Sequence, residues 1–175
     1  DSVLKDRIKV CDGRLPKGAP ATFLNNAKMV KLITDWWKVA MKNPSSWKCK
    51  GTDNNIYTFL NDYLTAYKEV FPEAWDNKNY VLTKTMGFDI IFSICNQLTL
   101  NAVDISGVNR LPDKDAFVSI LQKVFFTKDD SGNMVPVEVE LDGENAVPFN
   151  WESSIYGSHS SGKGINILKK IVEQL

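Results

Sequence analysis

The sequence predicts a mainly α-helical domain of about five helices around a central apolar helix at 80–101, with one small β-hairpin near 124–141. Three observations carry that expectation. Ile56, Phe59, Leu60, Tyr63, Leu64 and Tyr67 recur at helical spacing and form a continuous apolar stripe. The run GFDIIFSICNQL is nearly apolar, which only a helix packed on several sides tolerates. Finally, MVPVEVEL sets Val135, Val137, Val139 and Leu141 against Pro136, Glu138 and Glu140, the period of two that belongs to a half-buried strand.

Taken in order, residues 1–22 mix charge with Gly13, Pro16, Gly18 and Pro20 and read as an extended entry segment. The first helix follows, with Met29, Ile33, Trp36, Trp37, Ala40 and Met41 at near-helical spacing and Pro44 as its stop. The second opens after Thr52 and Asp53 as caps and ends just before Pro72. Gly87 lies inside the third, at a cost of about 1 kcal/mol relative to Ala, which points to close packing or a kink. A fourth opens with Pro112 in its first turn, and Asp113 and Asp115 sit where the helix dipole favours them. Phe117, Ile120, Leu121 and Val124 form its buried face. KDDSGN is a turn signal, Pro136 confines the following strand to an edge, and Val124–Phe126 is its expected partner. Ile165, Leu168, Ile171, Val172 and Leu175 describe a short terminal helix.

The bulk numbers fit one domain spanning 1–175, long enough to bury about two thirds of its unfolded surface. Hydrophobic residues at 43% and charged residues at 24% argue against intrinsic disorder. Lys plus Arg equals Asp plus Glu at 21 each. That balance argues against a strongly basic nucleic-acid module but leaves room for a local basic patch. No run approaches the roughly 18 apolar residues of a membrane helix, and DSVLKDRIKV has no signal-peptide core. No membrane partner is therefore expected. The chain lacks an initiator Met, and an excised piece of a longer protein is the expectation. Cys11, Cys49 and Cys95 are widely spaced, without CxxC and with one His in the chain, which suggests neither a disulfide framework nor a metal site. There is no N-x-S/T acceptor, since Asn43 precedes Pro44. A cytoplasmic protein is the expectation, with no cofactor implied.

GSHSSGKG, from Gly157 to Gly164, matches the GxxxxGK pattern of phosphate loops, whose backbone N–H groups and lysine cradle phosphates at a helix start. Against a nucleotide-binding enzyme, Gly164 stands where a Ser or Thr should hold magnesium, and only 11 residues follow. Two other readings stay open. Ser160 or Ser161 caps a helix, or the helix start with Gly157, His159, Ser160, Ser161 and Lys163 holds a nucleic-acid backbone phosphate. His159 is the chain's one histidine, and a lone His in a Gly/Ser loop is usually solvated. Lys5, Arg7, Lys9, Arg14 and Lys17 crowd the start, interleaved with Asp1, Asp6 and Asp12. They read as a solvated mixed segment or, at Arg14 and Lys17, as phosphate contacts. No acidic pair has a spacing that demands acid–base work, and no catalytic residue is named. Trp36 and Trp37 point about 100° apart on a helix, so one is expected in the core and the other on a partly covered shoulder. Together with Trp151 they are also candidate partner-docking residues, since Trp is enriched at binding hot spots.

Three segments, RLPKGAPATFLN, FPEAWDNKNYVLTKTMGF and FNWESSIYGSHSSGKGINILKKI, resemble in order and tone the C-terminal part of the DGQHR-domain family. Its members are associated with bacterial DNA phosphorothioate modification and phage defence. In that family a helical region follows a ParB-like core, and a Trp-containing segment leads to a Gly/Ser-rich loop and a last helix. The DGQHR signature is absent here apart from Asp12-Gly13-Arg14, so the resemblance implies that the core carrying it lies upstream. It transfers only Trp151 and the loop from Gly157 to Lys163, as contact positions. The function it implies is a non-enzymatic helical domain that docks DNA or a partner subunit. The alternatives are a pure protein-interaction domain using Trp36 or Trp37, and a nucleotide-binding enzyme using GSHSSGKG.

Overall fold

The computed structural model of the chain describes residues 2–5, 8–9, 24–42, 53–100, 112–140 and 146–156. Within them, helices α1 (Asn26–Lys42), α2 (Asp53–Val70), α3 (Thr85–Leu100) and α4 (Lys114–Phe125) dominate, followed by a single helical turn, α5 (Ser153–Tyr156). The described residues thus hold four helices of 12 residues or more rather than five. The expected terminal helix at 165–175 lies outside them.

α1 packs on α3 and α2 on α4, so the core is a seam between two helix pairs. Met29, Trp36 and Ala40 of α1 are buried, as are Phe59, Leu60, Tyr63, Leu64, Ala66 and Tyr67 of α2. The apolar run in α3 is buried round much of its circumference, through Phe88, Ile90, Ile91, Phe92, Ile94 and Cys95. Aromatic rings and buried hydrogen bonds close the seam. Trp36 stacks on Phe59 at 5.4 Å, and Phe117 meets Phe59 and Tyr63 edge-on. Tyr63 Oη donates to the Ile91 carbonyl at 2.6 Å, with the Tyr67 hydroxyl 3.2 Å away. Trp36 Nε1 donates to Thr99 Oγ1 at 2.9 Å, which in turn donates to the Cys95 carbonyl at 2.7 Å. Ion pairs tie the same partners at the rim, Lys28 to Asp89 across α1 and α3, and Lys114 to Glu69 at 2.5 Å across α4 and α2.

Helix α3 starts at Thr85, not at residue 80. Residues 80–84 instead cross to a distant segment: Tyr80 bridges Glu152, and Val81 N donates to the Trp151 carbonyl at 2.7 Å. A backbone N–H committed to that contact is not free for a helix ladder. Chain and helix approach closely here, since a Cβ on Gly87 would lie 2.2 Å from the Leu82 carbonyl oxygen and 2.3 Å from that of Val81. At α4 the cap is Asp113, whose carboxylate accepts from Ala116 N at 3.0 Å. Pro112 therefore precedes the cap rather than occupying the first turn.

The expected hairpin forms between β3 (Phe126–Lys128) and β4 (Met134–Pro136), antiparallel with Phe126 opposite Pro136. The chain then does something the alternation did not predict. Val137 N donates to the Phe125 carbonyl and its own carbonyl accepts from Phe149 N. β5 (Glu138–Val139) pairs antiparallel with β6 (Val147–Pro148). The entry segment contributes β1 (Ile8–Lys9), which pairs in parallel with β2 (Leu24–Asn25).

Candidate docking cleft

The residues expected to contact phosphate, Arg14, Lys17, Gly157, His159, Ser160, Ser161 and Lys163, lie outside the described residues. Of the three tryptophans named as candidate docking residues, the structure places two in the core. Trp36 is fully buried and Trp151 is 2% exposed, so both are core residues. Their rings are held by Phe59 and Thr99 in one case, and by Phe71, Phe125 and Phe149 in the other. Trp37 is half-buried against the core, 5.9 Å from the Trp36 ring.

Tyr63, Tyr67 and Cys95 are buried, and burial pushes all three pKa values well up, so each keeps its proton. Among the described residues no group of three or more His, Cys, Asp or Glu gathers as metal ligands. No described helix is long and apolar enough to cross a membrane.

One concavity is built from distant parts of the chain. α2 ends at Val70 because Pro72 disfavours helical backbone before it. Phe71 then accepts from Ala74 N and Trp75 N, turning the chain sharply. Asp76 adopts a left-handed conformation (φ 59°), and its N–H donates to Thr83 Oγ1 at 3.2 Å. This turn is stitched to the segment after β6. Beside the Val81–Trp151 bond, Ser153 N donates to the Asn79 carbonyl at 2.7 Å. Lys84 Nζ donates to the Lys78 carbonyl and to Ser153 Oγ, both at 2.7 Å.

The stitching brings Phe71, Tyr80, Phe149 and Trp151 together with Phe126 and Pro136 of the hairpin, around a cavity of about 330 Å³. Phe71 is the hub, stacked on Phe126 at 5.8 Å and edge-on to Phe125 and Trp151. Aromatic pairs of this kind contribute about 0.5–1.5 kcal/mol each beyond area burial, so the walls are set before anything binds. Phe149 and Trp151 are buried, whereas Phe71, Tyr80, Phe126 and Pro136 are half-open and Pro72 and Glu73 are exposed. Trp151 Nε1 is buried without a hydrogen-bond acceptor among the described residues. Glu73, the one charged side chain lining the cavity, makes no ion pair among the described residues.

A larger cavity of about 440 Å³ lies beside the N-terminal turn, lined by Val3, Leu4, Met29, Ile33 and Leu60 among others. Its walls are mainly apolar, and Asn61 Oδ1 is already taken by Val3 N at 2.9 Å. Ser2, Lys5 and the exposed Tyr57 also line it, but it lacks the cluster of packed rings that forms the walls of the aromatic cleft.

Sequence reasoning missed Phe71, Glu73, Tyr80 and Phe126 as cleft residues, because none belongs to a catalytic or ligand pattern. The signal that was present is the aromatic content of two loop-like stretches: Phe71, Trp75 and Tyr80 lie in one, Phe149 and Trp151 in the other, and the structure stitches the two together at this cleft. No family model matches the chain, and neither a curated protein nor a solved structure matches it.

Proposed function

We propose that the chain is a non-enzymatic docking domain that holds a segment of a protein partner in the aromatic cleft. The carrying observation is the half-open trio Phe71, Tyr80 and Phe126, set over a closed floor of Phe149 and Trp151. Aromatic side chains anchor protein interfaces, and rings fixed in advance lose little conformational freedom on binding. A carboxylate at the cleft mouth also disfavours a phosphate backbone there, which favours a protein over DNA as the occupant. Under the DGQHR-domain resemblance, that partner would belong to a DNA-modification or phage-defence assembly.

A random peptide display selection against the whole chain tests this, with a Tyr80→Ala chain of matched thermal stability as counter-target. Peptides should enrich on the unaltered chain, lose binding to the variant, and perturb the amide resonances of Phe71 and Phe126. Enrichment indifferent to Tyr80, or none, would sink the proposal. DNA makes a different demand. Anisotropy of a fluorescent duplex should stay flat across a salt series; micromolar binding that collapses with salt and weakens in Lys163→Ala would replace protein docking with DNA contact.

A further inference from the structure

We infer that the occupant of the cleft is a basic side chain, arginine or lysine, presented on an extended peptide segment. This rests on the docking function proposed above and specifies its partner. The cavity of about 330 Å³ is at the small end of ligand sites, on the order of 300–1,000 Å³, so it takes one or two side chains and not a helix face. Its rings supply π-faces and its prolines, Pro72 and Pro136, supply apolar edges, but neither neutralises a charge.

The charge at the mouth decides the chemistry. Glu73 is exposed and has no ion-pair partner among the described residues. The cation of the nearby stitching, Lys84, does not line the cleft and already donates to Lys78 and Ser153. A neutral apolar ligand would partly desolvate the Glu73 carboxylate without compensation, and an acidic one would oppose it. A guanidinium or ammonium meets the carboxylate while its aliphatic stem lies on Phe71, Tyr80 or Phe126, which adds a cation–π attraction.

The test uses the whole ¹⁵N-labelled chain and four decapeptides that differ at one central position: arginine, lysine, citrulline or glutamate. Arginine and lysine peptides should shift the amide resonances of Phe71, Glu73, Tyr80 and Phe126 saturably. Citrulline, neutral but isosteric with arginine, should bind more weakly by about fivefold, the size of one exposed cation–π contact. Glu73→Gln, an exposed change expected to leave the melting temperature in place, should weaken the arginine peptide and leave citrulline unchanged, narrowing the difference to what the rings alone supply. Equal binding of arginine and citrulline peptides, or an arginine affinity that Glu73→Gln leaves unchanged, overturns the basic specificity while leaving docking intact. If none of the four shifts the cleft, the inference falls, and the display selection separately decides whether docking falls with it.

Discussion

At the scale of single residues, Gly87 shows how magnitude decides between two opposed effects. Helix propensity alone predicts that Gly87→Ala stabilises α3 by about 1 kcal/mol. The carbonyl oxygens of Val81 and Leu82, however, stand 2.3 and 2.2 Å from where the new Cβ would lie, and they are backbone atoms that cannot rotate away. Overpacking costs typically about 1–3 kcal/mol, and here it falls on the segment stitched to Trp151. Gly87→Ala is therefore expected to lower stability by up to roughly 2 kcal/mol net, measured as the shift in urea midpoint at unchanged slope. A midpoint that rises would show that the approach of residues 81–82 to α3 is wrong. The adjacent tryptophans teach a related lesson. Helical geometry required Trp36 and Trp37 to diverge, but only packing chose Trp36, through Phe59 and the Thr99 hydroxyl, as the buried one.

At the scale of elements, the β3–β4 hairpin was legible because its turn chemistry is local. Asp129 accepts from Ser131 N and Asn133 N at 2.9 and 2.8 Å, and Gly132 takes the left-handed conformation (φ 82°) that side chains resist. The backbone hydrogen bond from Asn133, with its side-chain amide and Ser131 adding to it, lowers the Asp129 pKa below the usual carboxylate value. A lowered folded-state pKa contributes stability that is present above the unfolded value, about 4, and is lost as pH falls through the folded value. Amide exchange at Ser131 and Asn133, corrected for intrinsic rates, should accelerate between about pH 5 and pH 2, whereas Asp129→Asn should flatten that dependence. Equal pH dependence in both proteins would remove Asp129 as the cause. The β5–β6 pair escaped prediction because two-residue strands carry no period. Their pairing depends on Val137 donating to Phe125 and accepting from Phe149.

At the scale of the molecule, two helix pairs meet at an aromatic seam, and the turn after α2 is pinned to the segment after β6. The pinning depends on a lysine that satisfies oxygens from both sides. Lys84→Met keeps the apolar stem but removes the donor to Lys78 and Ser153. The amides of Val81 and Ser153, which cross the stitch in opposite directions, should then exchange faster together, by about fivefold, while amides within α2 and α4 keep their protection. Faster exchange at only one of them, or at neither, would show that Lys84 does not hold the two segments as a unit. The cleft depends on this joint, since Tyr80 lies on one side of it and Phe149 and Trp151 on the other.

By itself, the sequence determined the mainly helical class, the faces of α2 and α4, that of α1 apart from the exposed Met41, and the hairpin with its turn. Each of these follows from spacing or from turn residues within a dozen positions, so neighbouring side chains suffice to specify it. Only the tertiary structure decided the start of α3, the burial of Trp36 and Trp151, the second strand pair, and the cleft. The start of α3 and the cleft depend on hydrogen bonds between residues about 70 positions apart, such as Val81 with Trp151 and Lys84 with Ser153. Trp36 is buried by Phe59 and Thr99 from two other helices, and the second strand pair, though closer in sequence, is held by Phe125 and Phe149 and has no period of its own. Local propensity favoured continuing the helix through residues 80–84, but the backbone groups there found partners across the fold instead.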